Sequence, residues 1–235
     1  MNLLSKPISA LMFSLALHAP IASAADMDIG GILPGGGLIR KNVLSIKELR
    51  YVNLIRQNTD FSCGAASLAT LLKYAYQMDV DEEDVLRGLM AVSNAKIARA
   101  QGFSMLNLKN YLANLGLRGR GYEAGADMLD KIKVPTLVLL NIKGYKHFVV
   151  LKRSTPEQIY LADPALGNRV MPRDEFLKAW QESGIIFAVL GKGYVKDNIL
   201  LHPEPLLTAR KHIDTFRPVR DAELLDFGFM HRELF

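Results

Sequence analysis

The apolar residues of this chain follow a helical period in one part and form short β-rich runs in another. After residue 63, small and apolar residues recur at helical spacing, and they place Leu68, Leu71, Leu72 and Ala75 on one stripe. After residue 134, the apolar residues come in short runs separated by turn-forming residues, which is typical of strands. Helices followed by strands predict an α+β fold in which N-terminal helices pack on an antiparallel sheet.

Capping residues and turns mark the predicted ends of these elements. Helices are predicted to begin at Cys63, to run from Asp84 to about Met90 after a cap at Asp81, to continue through residues 93–101, and to run from Ser104 to Gly116. Strands are predicted over residues 136–142, 147–151, 158–162 and 184–190, with a helix over residues 173–181 between the last two. In the helix that starts at Ser104, the side chains expected to face the core are Leu106, Leu108, Tyr111, Leu112 and Leu115.

The two ends of the chain differ in composition from its middle. Residues 1–24 have a lysine near the start, an apolar stretch and small residues at 22–24, which is typical of a secretory signal peptide. Residues 25–42 are rich in glycine and are expected to form a flexible leader that adds nothing to the core. We therefore assign residues 43–195 to the folded domain, with an extended entry over 43–55, and residues 196–235 to an irregular tail.

Charge and hydropathy exclude several classes of protein. The chain carries a formal net charge of +5, but its basic residues are scattered, so nucleic acid is not an expected partner. The apolar stretch of the signal is too short to span a membrane, and no later run is long enough, so we expect a periplasmic protein without a stable membrane span. One cysteine and scattered histidines give no ligand cluster, so we expect neither a metal nor another cofactor.

Cys63 is the only cysteine, and it lies in the first turn of a predicted helix. The free N–H groups and the positive end of the helix dipole favour an anion there, so the nucleophilic thiolate is stabilised. An exported chain with one cysteine cannot close an internal disulfide, and an unpaired thiol in an oxidising compartment indicates a reactive residue. The alternative is a small buried apolar side chain, which is the common fate of a lone cysteine.

His147 and Asp163 meet if the two strands around Thr155 form a hairpin. With the hairpin centred on Thr155, opposed residues have numbers that sum to 310, so these two become direct cross-strand neighbours with Cβ atoms about 4.5–5.5 Å apart. A carboxylate placed there orients the imidazole and stabilises the imidazolium, as the base of a cysteine nucleophile requires. The alternative is a structural histidine bonded to a turn-capping aspartate, and a shift of one residue in register would break the pairing.

Gln57 lies six residues before Cys63. Its side-chain amide can donate a hydrogen bond to an oxyanion beside the backbone N–H of Cys63, as acyl transfer requires. The alternative is a polar loop residue with no part in the chemistry.

Three motifs in this order and spacing resemble those of the bacteriocin-processing, or double-glycine, cysteine peptidases. They are Gln57 with Cys63-Gly64 six residues later, the run 147–151 that begins with histidine, and the run 163–167 that begins with Asp-Pro. The resemblance covers roughly residues 50–190 and implies a papain-like fold. It also implies catalytic roles for four residues: Cys63 as nucleophile, His147 as base, Asp163 as the carboxylate that orients the base, and Gln57 in the oxyanion hole.

Members of this family that are fused to exporters continue into membrane spans and an ATPase, whereas this chain carries a predicted signal peptide. It therefore looks more like the stand-alone exported members, among them the peptidase components of functional amyloid secretion systems. The resemblance implies an exported cysteine peptidase that processes a secreted protein or peptide, at a double-glycine type site, during the secretion of amyloid fibres and alongside other secretion components.

Two alternatives share some of these features. The first is a peptidase-like binding module that recognises an exported client without cutting it, but such domains usually lose the nucleophile, and all four candidate residues stand in this chain. The second is a cell-wall amidase or transpeptidase with the same pairing of cysteine and histidine. The Cys-Gly-Ala sequence at 63–65 and the Asp-Pro motif at 163–164 favour the peptidase.

Overall fold

A computed structural model describes residues 25–28, 40–180 and 184–202 of the chain, which divides into two units, residues 1–45 and 46–235. In the first unit Ala25–Asp28 (β1) and Arg40–Val43 (β2) pair as an antiparallel hairpin. The expectation of a flexible leader over residues 25–42 is therefore wrong for these strands, because backbone hydrogen bonds pair them without needing a periodic apolar pattern. Residues 29–39 of this segment lie outside the described residues. The predicted signal peptide and the tail beyond residue 202 lie outside the described residues.

The second unit opens with five helices. They are Ile46–Arg50 (α1), Cys63–Tyr76 (α2), Glu82–Ala91 (α3), Ala95–Gln101 (α4) and Met105–Asn114 (α5). The predicted start of α2 and the predicted caps at Asp81 and Ser104 are confirmed. The extended entry over 43–55 is wrong at α1, because a helix of five residues is too short for its apolar spacing to be recognised.

Within the described ranges the sheet of the second unit has six strands, two more than predicted. They are Arg118–Glu123 (β3), Thr136–Ile142 (β4), Tyr145–Ser154 (β5), Gln158–Asp163 (β6), Gly167–Pro172 (β7) and Ile185–Leu190 (β8), and helix Arg173–Trp180 (α6) joins the last two. Their order is β3-β8-β4-β5-β6-β7, with every neighbouring pair antiparallel. The sequence did not predict β3 because most of its side chains are exposed, nor β7 because it opens with the turn-forming Gly-Asn pair.

Apolar side chains cover both faces of this sheet. The larger core joins Leu68 and Leu72 of α2 to Phe148 and Val150 of β5, with further contributions from α3, α4 and α5. On the other face α6 packs a second core whose largest members are Phe176 and Trp180. The predicted α+β class is therefore confirmed, with helices on both faces of the sheet.

One expected core residue is placed differently. Leu106 is 61% exposed, because α5 buries only the stripe formed by Leu108, Tyr111 and Leu112. In the described part of the chain, no helix has the length and hydropathy that crossing a bilayer requires.

Candidate active site

Cys63 is the first residue of α2, and its helix is fixed directly against strand β5. The side chain of Cys63 is buried, and a Cβ added to Gly64 would lie 3.3 Å from the ring of Phe148. One turn further on, the buried hydroxyl of Ser67 donates a hydrogen bond to the backbone carbonyl of Phe148 at 3.0 Å. Since Phe148 directly follows His147, these contacts set the start of α2 beside the histidine.

His147 and Asp163 form a buried pair. Nε2 of His147 lies 2.8 Å from Oδ1 of Asp163, and the aspartate is fully inaccessible to solvent. The same oxygen accepts the backbone N–H groups of Ala165 and Leu166, at 3.0 and 3.1 Å. Asp163 therefore caps its own turn and binds the histidine at once, so the two interpretations of this residue from the sequence describe the same side chain.

The predicted hairpin register is wrong, although the predicted contact is present. Val150 faces Ala162 and Leu151 faces Leu161, so paired numbers sum to 312 near the site, and the register shifts again between Leu151 and Arg153 at a bulge. With this sum the position opposite His147 is 165, so Asp163 lies two positions away from it. An even displacement keeps side chains on one face, and diagonal neighbours on a strand pair remain within reach of long side chains.

The second ring nitrogen of His147 is the one available to Cys63. Within the described residues, buried Nδ1 has no conventional hydrogen-bond partner. Burial by itself would lower the pKa of His147, but the hydrogen bond to Asp163, the nearby sulfur of Cys63 and the charge of Asp163 raise that pKa to about 9. With a pKa of about 9 the ring is protonated at neutral pH and lies between the carboxylate of Asp163 and the sulfur of Cys63. A positive ring in this position favours the thiolate form of a cysteine.

Arg169 supports the aspartate from the side away from the histidine, and sequence reasoning did not identify it. Its Nε lies 3.6 Å from Oδ2 of Asp163. Burial by itself would raise the pKa of Asp163, but the hydrogen bond and charge of His147, the N–H of Ala165 and the charge of Arg169 lower it. Asp163 is therefore a carboxylate, and the only sequence signal for Arg169 is its place on a strand adjoining the Asp-Pro turn.

Gln57 is connected to the turn that follows Asp163. Its backbone N–H donates to the carbonyl of Pro164 at 3.0 Å, and its side-chain Nε2 donates to the carbonyl of Thr59 at 3.1 Å. An amide nitrogen carries two protons, so one remains for another acceptor. As the first residue of α2, Cys63 also has a backbone N–H without an acceptor inside its helix. The loop 57–63 thus carries two candidate donors for an oxyanion.

A cleft of about 740 Å³ opens beside Cys63. Its walls include Phe61 and Asp60 from the loop before α2, Arg99 near the end of α4, and Tyr145 at the start of β5. The hydroxyl of Tyr145 donates to the carbonyl of Asp60 at 2.6 Å, and its ring centre lies 5.9 Å from that of His147. Tyr145 lies before the strand that was predicted to begin at residue 147, and the structure includes it in β5. Its position two residues before the histidine on one strand was the signal that it would lie near the site.

No group of three metal-binding side chains (His, Cys, Asp or Glu) is placed to hold an ion within the described residues.

Comparison with known proteins agrees with this geometry. The profile of the Peptidase C39 family matches residues 51–189. The chain belongs to the peptidase C39 family. It is therefore a cysteine peptidase, as its three motifs predicted, and Cys63 is the one cysteine that it contains.

Two relatives are similar along almost the whole chain. The probable functional amyloid protease FapD of Pseudomonas fluorescens is 51% identical over 221 residues, which are 94% of this chain and 96% of the relative. The protein of the same name from Pseudomonas aeruginosa is 48% identical over 225 residues, which are 96% of this chain and 99% of the relative. The predicted resemblance to double-glycine peptidases and to the amyloid-associated members is confirmed.

Two solved structures share the fold of residues that make up 59% of this chain. The first is a double glycine motif protease from an AMS/PCAT transporter in complex with the leader peptide, 32% identical with a TM-score of 0.50 over 91% of its length. The second is the peptidase domain of Streptococcus ComA, 23% identical with a TM-score of 0.51 over 98% of its length. The first is a protease and the second a peptidase domain, so the predicted papain-like peptidase fold is confirmed.

Proposed function

We propose that this chain is an exported cysteine peptidase that processes a secreted partner in a functional amyloid system. The similarity to the two Pseudomonas relatives supports the amyloid context, because it extends over nearly the full length of the chain and not only over the peptidase domain. The observation that carries the chemistry is the buried contact of His147 with Asp163 beside the only cysteine.

In the proposed mechanism Cys63 and His147 form the reactive pair. The thiolate sulfur of Cys63 bonds to the scissile carbonyl carbon, and His147 gives its Nδ1 proton to the departing amine. A thioester remains on Cys63. His147 then removes a proton from water, and the resulting hydroxide attacks the thioester carbonyl. The C–S bond breaks, the carboxylic acid product leaves, and the thiolate of Cys63 and the imidazolium of His147 are restored. Asp163 keeps the ring oriented and offsets its charge throughout.

The proposed oxyanion hole consists of the backbone N–H of Cys63 and the side-chain amide of Gln57. Each donates to the negative oxygen that forms when sulfur attacks the carbonyl. The bond from Gln57 to Thr59 holds the amide in the loop and leaves its second proton free for this purpose.

We propose a substrate with small residues, glycine above all, immediately before the cut. The cleft beside Cys63 is lined by the aromatic side chains of Phe61 and Tyr145. A glycine has no Cβ, so it lets the backbone approach the sulfur closely. The similar transporter protein is a double glycine motif protease solved in complex with the leader peptide, which supports the same class of substrate here.

We also propose that residues 1–24 are removed during export and that the mature protein acts in the periplasm. The apolar stretch and the Ala-Ser-Ala end of this segment support cleavage after Ala24. Intact mass of the protein from a periplasmic extract checks this, and a periplasmic species that keeps Met1, or protein found in the cytosol alone, contradicts it.

Cleavage mapping tests the activity itself. Purified wild type and Cys63→Ala are incubated with the secreted proteins of the host, and new termini are identified by mass spectrometry. Cuts after Gly-Gly that need Cys63 support the full proposal, while Cys63-dependent cuts elsewhere discard the specificity. If no Cys63-dependent cut occurs but a secreted client co-purifies with Cys63→Ala, the chain acts as a binding module on that client.

A further inference from the structure

Glu82 is a buried acid that neither the sequence motifs nor the proposed mechanism uses. It is the first residue of α3 and only 4% exposed. Its Oε1 accepts the backbone N–H of Asn58 at 2.8 Å and the hydroxyl of Ser62, while its Oε2 accepts the side-chain amide of Asn58. Three donors converge on one carboxylate, which is how a buried carboxylate remains satisfied.

The N-terminus of α3 does not need the Glu82 carboxylate as a cap. Asp81 already caps the helix, since its side chain accepts the N–H of Asp84 and the side chain of Asp84 accepts the N–H of Asp81. The next acid, Glu83, lies on the surface and pairs with Arg87. The burial of Glu82 therefore has to be explained by the loop it contacts.

That loop joins the two proposed oxyanion donors. Asn58 directly follows Gln57, and Ser62 directly precedes Cys63, so one carboxylate holds the loop at both of its ends. Ser62 can donate its single proton to Glu82 or to the carbonyl of Thr59, and the carboxylate is the stronger acceptor. The N–H of Thr59 then donates to the oxygen of Ser62.

We propose that Glu82 is a positioning residue that sets the spacing of the two oxyanion donors, Gln57 and the N–H of Cys63. This inference rests on the proposed roles of those residues. Glu82 does not touch the substrate. It acts through Asn58 and Ser62, and a displacement of about 1 Å in an acyl-transfer site is enough to reduce the rate on the order of 100-fold.

Two reactions of Cys63 separate this role from a general effect on folding or on the thiolate. With 4-nitrophenyl acetate the sulfur bonds to the acetyl carbon through an oxyanion, and 4-nitrophenolate leaves. With iodoacetamide the sulfur displaces iodide and no oxyanion forms. Neither reagent requires recognition of a peptide. The rate of each is measured for the full mature chain after subtraction of the Cys63→Ala background, and the ratio of acylation to alkylation reports on the oxyanion hole alone.

The informative variant is Glu82→Gln, because its amide N–H₂ would face the donors that the carboxylate accepts. We expect its acylation rate to fall about tenfold or more while its alkylation rate stays within about twofold of wild type. Glu83→Gln is the matched control, one residue away on the same helix and exposed, and it should change neither rate. Ser62→Ala, which removes one of the three hydrogen bonds, should lower the ratio in the same direction and serves if Glu82→Gln fails to fold.

An unchanged ratio in Glu82→Gln, or in Ser62→Ala if only that variant folds, overturns the inference and leaves the proposed peptidase mechanism standing. Equal losses of acylation and alkylation also overturn it, because they indicate a disturbed thiolate or fold. If wild type shows no Cys63-dependent acylation at all, the proposed mechanism fails and this inference fails with it.

Discussion

His147 binds Asp163 through Nε2 at 2.8 Å, which leaves Nδ1 as the ring nitrogen for Cys63. The aspartate is fully buried and is also the acceptor of two backbone N–H groups in its own turn. The pair thus fixes both the orientation of the ring and the position of its protons.

Replacing this aspartate should damage catalysis much more than folding. In Asp163→Asn the amide can donate to Nε2 and hold the ring in the wrong tautomer, so we expect kcat to fall about 100-fold or more. Histidine NMR measures the tautomer of the ring, and cleavage rates measure kcat. The exposed Asp174→Asn on α6 is the control. Wild-type turnover in Asp163→Asn would show that this residue only caps its turn.

The charge of His147 predicts a pH dependence of stability. Its pKa is raised from 6.5 to about 9 in the folded protein. A raised pKa means that the protonated ring stabilises the fold fully below pH 6.5, and that this contribution is lost as pH rises through about 9. The melting temperature should therefore decrease over this window in wild type and less in His147→Gln. Identical slopes in the two proteins would contradict the shift.

The same titration should set the alkaline limit of activity. The imidazolium is the proton donor to the leaving amine, so kcat/KM should fall with a midpoint near pH 9. In Asp163→Asn the midpoint should move to lower pH, because the hydrogen bond and charge that favour the imidazolium are gone. If the midpoint does not move in this variant, the alkaline fall in kcat/KM reports the titration of a group other than His147.

Gln57 should contribute to the transition state more than to substrate binding. Removing one oxyanion donor costs about 100- to 1,000-fold in kcat, and we expect Gln57→Ala to lie in this range with a small change in KM. Gln158→Ala, at the far end of β6, is the matched control. Steady-state kinetics on a mapped cleavage site distinguish an effect on kcat from an effect on KM. A rise in KM with kcat unchanged would mean that Gln57 contributes to substrate binding instead.

Gly167 should be required for stability at the turn that carries Asp163. Its φ is +90°, and an added Cβ would lie 2.8 Å from the Cβ of Arg50 and 2.9 Å from its carbonyl oxygen. Strain and overpacking together predict a loss of about 2 kcal/mol or more in the free energy of unfolding of Gly167→Ala. Gly116→Ala is the control, because its φ of +73° introduces the same backbone strain but no atom lies close to the added Cβ. Equal losses in denaturant titrations would rule out the close contact with Arg50.

Local chemistry determined much of this protein from the sequence alone. The start of α2 at Cys63, the caps of α3 and α5 and the strands β4, β5, β6 and β8 follow from apolar spacing and turn residues, which act over a few positions. The four candidate site residues were predicted because their motifs have a fixed order and spacing. Exposed β3 and turn-like β7 lacked such a pattern and were not predicted.

Tertiary structure alone decided how the site is held together. Beside the hairpin turn the paired residue numbers sum to 313, and the bulge near Lys152 changes that sum to 312, so only the folded sheet determined that Asp163 still reaches His147. Arg169 reaches Asp163 through the pairing of β6 with β7. Glu82 lies 20 residues from Ser62 along the chain. A hydrogen bond between residues so distant along the chain depends on how α3 folds against the loop before α2. No local spacing in the sequence encodes that placement, because the contact exists only once the core has formed.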